Sequence, residues 1–187
     1  MKKVWVLFVA LTILAVGCRE NDLVAPQANS TESHQILQLP PKAETNSLKK
    51  DYSFSEMIDG KKGGQIPFMY AYYTFSDGLV IAQGSLTVPA GAFQGYKRIT
   101  VSVEQGSAVV DFSPSPTQFD TPLKLDLFYY GLNLFGVNTD KLDFYYIADD
   151  GHYEKISYSS KYVDKFRGIL GVKQALLPHF SRFGWVI

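Results

Sequence analysis

The sequence predicts an all-β protein, an antiparallel β-sandwich that follows a short leader and a polar tether. Three observations carry this. From about residue 50 the chain breaks into runs of five to nine residues rich in aromatic and β-branched side chains, separated by Gly, Asp, Asn and Pro. Helical periodicity is nearly absent, whereas Ile99, Val101 and Val103 alternate cleanly with Thr100, Ser102 and Glu104. Hydrophobic residues make up 46% and charged residues 19% of the 187, enough apolar material for one packed core and too little charge for a disordered chain.

The strands are expected in this order. Tyr52 to Ile58 comes first, and Lys61-Lys62-Gly63-Gly64 turns the chain. Pro67 to Phe75 is strongly aromatic, and Ser76-Asp77-Gly78 punctuates it before Leu79 to Gln83. A separate strand starting at Ser85 ends at Pro89, which has no N–H to give to a ladder. Ile99 to Val103 is the clearest strand of all, and Ala108 to Phe112 runs into Ser113-Pro-Ser-Pro116, where two prolines force an extended turn. Leu123, Leu125, Leu127 and Tyr129 alternate with Lys124, Asp126 and Phe128. Leu142 to Ala148 and His152 to Tyr158 flank Asp149-Asp150-Gly151, a hairpin signal. Gly168 to Leu177 and Phe180 to Ile187 close the series. Nine or ten short strands at this spacing argue for a sandwich.

The first 50 residues read differently. Met1-Lys-Lys is a positive start, Val4 to Val16 is apolar apart from Thr12, and Ala15-Val16-Gly17-Cys18 follows as small residues ending in a thiol. About 13 apolar residues are too few to span a bilayer, which takes roughly 20. The segment resembles the signal peptides of bacterial lipoproteins, with Ala15 where Leu is more usual. That resemblance implies diacylglycerol on the Cys18 thiol, cleavage before Cys18 and acylation of the new amino group. Several acyl chains on one residue anchor stably where one is marginal. Arg19 is not the Asp that resembles an inner-membrane retention signal, so the outer membrane is the expected address in a Gram-negative cell.

From Arg19 to Leu48 the chain is rich in Asn, Ser, Thr, Gln, Glu and Pro, with no sustained apolar period. The expected organisation is therefore residues 1–17 signal peptide, 18–49 lipid-anchored tether and 50–187 sandwich. Within the tether, Ile36-Leu37-Gln38-Leu39 is a short apolar piece with the means to dock, and Pro40-Pro41 stops it growing. Removal of Lys2 and Lys3 with the leader leaves 16 Lys and Arg against 18 Asp and Glu, with no basic block of the kind nucleic-acid binding relies on. Nucleic acid is excluded as an expected partner.

Four pieces occur in an order that resembles the ZU5 domains and their bacterial ZU5-like relatives. They are Leu86-Thr-Val-Pro-Ala-Gly-Ala-Phe93, Phe112-Ser-Pro-Ser-Pro-Thr-Gln-Phe119 with Pro122, Tyr145-Tyr-Ile-Ala-Asp-Asp-Gly-His-Tyr153, and His179-Phe-Ser-Arg-Phe183. The likeness spans about residues 62 to 187. It implies a sandwich used mainly in protein interaction, here in a single-domain form carried by a lipoprotein, with an envelope protein as partner. Some ZU5 relatives cleave themselves between Phe and Ser of a His-Phe-Ser motif, and His179-Phe180-Ser181 fits those three letters. The chemistry needs the hydroxyl beside the scissile carbonyl, a proton-relaying His and a strained turn. Only Ser181 to Ile187 lies downstream, and packing of Phe180 and Phe183 gives the motif a complete structural use.

No other catalytic set stands out, and the expected protein is a non-enzymatic one without a cofactor beyond the lipid on Cys18. His34, His152 and His179 are not at metal-ligand spacing, and Asp149, Asp150 and Glu154 lack the regular oxygen ligands of a calcium loop, so no metal is expected. The aromatics are the remaining lead. Tyr70, Tyr72 and Tyr73, Phe128-Tyr129-Tyr130 and Phe144-Tyr145-Tyr146 put rings on both faces of their strands, because neighbours point opposite ways. The outward set, with Tyr70, Tyr72, Tyr130 and Tyr145 as candidates, is read either as a platform for a glycan, a small ligand or a protein, or as rings that shield the sheet or pack beneath the tether.

Overall fold

The computed structural model describes residues 34–43, 52–115 and 117–187. Cys18, the leader, Pro116 and most of the tether lie outside the described residues. Eleven strands form among the described residues: β1 Tyr52–Asp59, β2 Gly64–Tyr73, β3 Leu79–Val88, β4 Tyr96–Val103, β5 Val109–Ser113, β6 Thr117–Tyr130, β7 Asp143–Ile147, β8 Tyr153–Lys155, β9 Ser160–Asp164, β10 Ile169–Phe180 and β11 Arg182–Val186. They make two antiparallel sheets, β1-β4-β5-β11-β7-β8 and β2-β3-β6-β10-β9. The expected all-β sandwich is the observed fold.

Two pairs of consecutive strands connect the sheets. β5 runs into β6, and β10 runs into β11 after the single residue Ser181. The β5–β11 ladder runs from Gly184↔Val109 to Arg182↔Asp111 in one sheet, and the β6–β10 ladder reaches Phe180↔Thr117 in the other. Pro122 and Pro178, which cannot donate to a ladder, fall where the register between β6 and β10 shifts. Pro67 sits in β2, an edge strand, where a missing N–H is harmless.

The core lies between the sheets and follows the alternation. Ile99, Val101, Val103, Val110, Phe112, Phe183 and Trp185 meet Leu86, Leu123, Leu125, Leu127, Val172 and Leu177, all essentially inaccessible to solvent. Three sequence expectations change. Leu79 to Gln83 and Ser85 to Val88 are one strand, because Gly84 is covered by the ring of its register partner Phe68; a Cβ there would lie 2.4 Å from that ring. β9 at Ser160-Lys-Tyr-Val-Asp164 was not anticipated, being short and half polar. The compact unit begins at His34, well before residue 50.

That early start is a strap. The Leu37 N–H donates to the Trp185 carbonyl at 2.8 Å while the Ala108 N–H donates to the Leu37 carbonyl at 2.9 Å, so residues 35–39 wedge between the end of β11 and the approach to β5. Leu37 and Leu39 enter the core. The strap then crosses to the other sheet: the Tyr72 hydroxyl donates to the Pro40 carbonyl at 2.9 Å and the Ala43 N–H donates to the Tyr73 carbonyl at 2.8 Å. The apolar piece placed in the tether from its composition is thus part of the folded domain.

Candidate functional site

The outer face of the five-stranded sheet carries the most developed surface feature. Register places Met69, Gln83, Phe128, Gly171 and Tyr162 in one row across β2, β3, β6, β10 and β9. Gly171 has no side chain, and a Cβ there would lie 2.2 Å from the Phe128 ring. The ring lies over the glycine, and a groove of about 590 Å³ opens between Phe128 and Tyr130 on one wall and Tyr162, Ile169 and Lys173 on the other. Across the Phe128–Tyr130 ridge a second depression of about 400 Å³ is lined by Gln65, Pro67, Gln83 and Asp126.

A β-bulge shapes the site. Val172 pairs with Leu127 and Ala175 with Leu125, so Lys173 and Gln174 together oppose Asp126. Gln174 takes φ 50°, a left-handed conformation costly for a residue with a Cβ, and its N–H donates to Asp126 Oδ1 at 2.7 Å. Asp126 thereby satisfies the donor that the bulge takes out of the ladder. Bulges re-aim side chains, and the Lys173 ammonium lies 5.9 Å from the centroid of Phe128. Phe128 and Tyr130 stand 6.2 Å apart with planes 22° from parallel. The result is an aromatic platform rimmed by a cation, an arrangement suited to recognition by stacking and polar contact.

The four candidate tyrosines separate. Tyr130 is on the groove. Tyr70 and Tyr72 are corrected to core positions, 5% and 6% exposed, because they share the inward parity of Ile66 and Phe68 while Met69, Ala71 and Tyr73 face out. Burial pushes the Tyr72 phenol up to about 12. Tyr145 lies on the outer face of the other sheet, half-buried against Tyr153 and under the imidazole of His34, which stacks on Tyr153 at 5.0 Å. Tyr162 and Lys173 were missed by sequence reasoning. The usable signal was Gly171 inside a strand, since a strand glycine often marks close approach of another group.

The His179-Phe180-Ser181 motif forms the corner between the sheets. Phe180 packs against Phe112 and Phe119, with centroids at 6.2 and 4.7 Å. Its carbonyl accepts the Ser115 hydroxyl at 3.0 Å, and the Ser181 carbonyl accepts the Phe112 N–H at 3.1 Å. The His179 ring lies against Tyr146 at 4.7 Å and Phe183 at 5.9 Å. In the β7–β8 turn Asp150 Oδ1 accepts the His152 N–H at 2.9 Å, the usual work of a turn aspartate. Among the described residues, no three His, Cys, Asp or Glu side chains gather as metal ligands would.

One electrostatic cluster supports the sheet that faces away from the groove. Burial pushes the Asp143 carboxyl up, but hydrogen bonds from Lys155, from the Tyr158 hydroxyl at 2.6 Å and from the Phe144 N–H at 2.8 Å outweigh it and hold it below the usual carboxylate range. A depressed folded value means stabilisation that is complete above the unfolded pKa, near 3.9, and lost as pH falls through the folded one. Asp143→Asn is expected to cost about 2 kcal/mol at neutral pH. Urea unfolding of both proteins at neutral pH and near pH 3 should show that gap narrowing in acid; a gap independent of pH would contradict the assignment.

Comparison with protein-family models, with curated proteins and with solved structures returns no match.

Proposed function

We propose that this chain is a lipid-anchored, non-enzymatic binding protein of the bacterial envelope, whose ZU5-like sandwich holds another envelope protein. The groove around Phe128, Tyr130, Tyr162 and Lys173 carries this reading. Phe128 covers the bare backbone at Gly171, but the buried core closes without Phe128, Tyr130 or Tyr162, and their grouping beside an ammonium on an outer sheet face suits recognition. Interfaces are enriched in tyrosine and other large amphipathic side chains, and a few such residues supply most of the binding energy. The lipobox ending at Cys18 supplies the anchor, and Arg19 favours the outer membrane.

The test is crosslinking in the native envelope with wild-type protein and with Tyr130→Ser/Tyr162→Ser. Loss of two interface tyrosines is expected to weaken a specific adduct by at least about tenfold, with the melting temperature little changed. An adduct of undiminished yield would remove the groove from the proposal. The near-parallel Phe128 and Tyr130 rings, with Ser160 and Gln83 at the margins, favour one second reading, a stacking platform for a glycan. Calorimetric titration with soluble peptidoglycan oligosaccharides separates the two, because only the glycan reading expects heat that disappears in the double variant.

A further inference from the structure

The other unusual surface lies at one end of the sandwich. β2, β6 and β9 run the same way, since each is antiparallel to a strand between them, so their C-terminal ends emerge together. The loops that follow them converge: the Leu132 N–H donates to the Gly168 carbonyl at 3.0 Å, and Asp77, Phe135 and Phe166 line one shallow depression. Phe166 is 90% exposed at the β9–β10 turn and Phe135 is 67% exposed in the β6–β7 loop, their rings 6.2 Å apart. Phe75 is exposed in the neighbouring β2–β3 hairpin. Lys165 and Arg167 flank Phe166: one donor of the Lys165 ammonium goes to the Val137 carbonyl at 3.1 Å, and Arg167 Nε lies 3.9 Å from Asp164 Oδ2 in an exposed pair, so each keeps further donors for a phosphate.

Two contacting phenylalanines held in solvent on tight loops bury little of their own surface, and the sequence spends them where the core gains nothing. A phenylalanine at a tip between two long basic side chains matches the chemistry of a bilayer interface. There the ring sits at the level of the glycerol and upper acyl chain, and the cations reach headgroup phosphates. The strap of residues 34–43 also reaches this end of the sandwich. It terminates beside Tyr73 and Thr74, eight residues and up to about 27 Å of extended chain after His34, whose ring lies against Tyr145 and Tyr153 of the other sheet. With residues 34–43 docked, 15 residues separate Cys18 from His34, a reach of about 50 Å at full extension.

We propose that the Phe135–Phe166 tip docks on a phospholipid surface, with Lys165 and Arg167 meeting headgroup phosphates. The proposal rests on the lipid-anchor reading for its geometry: the anchor supplies proximity and the tip sets orientation, leaving the groove on the outer sheet face open to a partner. Two weak contacts to one membrane multiply through effective concentration.

The test uses the chain from Arg19 onward, which retains the whole compact unit, and vesicles of phosphatidylethanolamine and phosphatidylglycerol at three to one. The protein is expected to float with vesicles. Phe135→Ser/Phe166→Ser is expected to reduce the bound fraction by roughly tenfold or more, with its melting temperature unchanged because both rings are exposed. Wild-type protein that fails to float, or a double variant that floats equally well, overturns the proposal. So does sedimentation showing a dimer that the double variant dissociates, since the patch would then belong to a second copy. This chain lacks Cys18, so the outcome is independent of acylation; a full-length chain that is never acylated would sink the anchor and leave vesicle binding as measured.

Discussion

Replacing Leu37 and Leu39 together by alanine should lower the unfolding free energy by about 5 kcal/mol or more, enough to unfold much of the protein at room temperature. Each side chain is almost fully buried in the core cluster, and a buried Leu→Ala change costs about 2–5 kcal/mol through lost transfer energy and the cavity left behind. Whole domains are stable by only about 5–15 kcal/mol. The loss extends beyond the two side chains, because the strap also satisfies the Trp185 and Tyr73 carbonyls and the Ala108 N–H. Urea denaturation measures it, with an unchanged slope showing that the same surface is exposed. A cost below about 1 kcal/mol would mean that the strap is not part of the cooperative unit. Truncations starting after Ala43 carry the same penalty, so a soluble form of the domain must begin before His34.

The strap also illustrates where sequence reasoning stops. The alternation at Ile99-Val101-Val103 and Leu123-Leu125-Leu127 announced its strands and their buried faces, since a period of two has one structural meaning. Ile36-Leu37-Gln38-Leu39 has the same period over four residues, but polar surroundings and Pro40-Pro41 mask it, and its partners are some 70 and 150 residues away in the chain. Gly84 looked like a break and was not, because the cross-strand ring of Phe68 fills the space above it. In both places a distant partner decided the outcome.

The candidate site was legible only in part, for the same reason. Aromatic runs such as Tyr70-Ala-Tyr-Tyr73 and Phe128-Tyr-Tyr130 must expose some rings, but which ones depends on the parity that each strand takes against the core. Parity sent Tyr70 and Tyr72 inward and left Phe128 and Tyr130 outward. Tyr162 and Lys173 joined them through the β9 pairing and the bulge at Gln174, neither of which has a local signature. The exposed Phe135 and Phe166 sat in segments read as connections, where a single aromatic carries no periodic information.

In the proposed function Cys18 makes the sandwich a membrane-held device, and substitution there has the largest functional effect expected. Acylation of a thiol is all or none: Cys18→Ser removes the acceptor, and an h-region of about 13 residues is too short to replace a lipid anchor. The variant should lose acyl incorporation completely while its sandwich melts as the wild type does, since Cys18 precedes the compact unit that starts at His34. The decisive measurement is the intact mass and N-terminal peptide of the protein extracted from membranes of a bacterial host. A chain that begins at Cys18 and carries diacylglycerol and an amide-linked acyl group is the predicted result; a chain with an unmodified thiol at position 18 would contradict it.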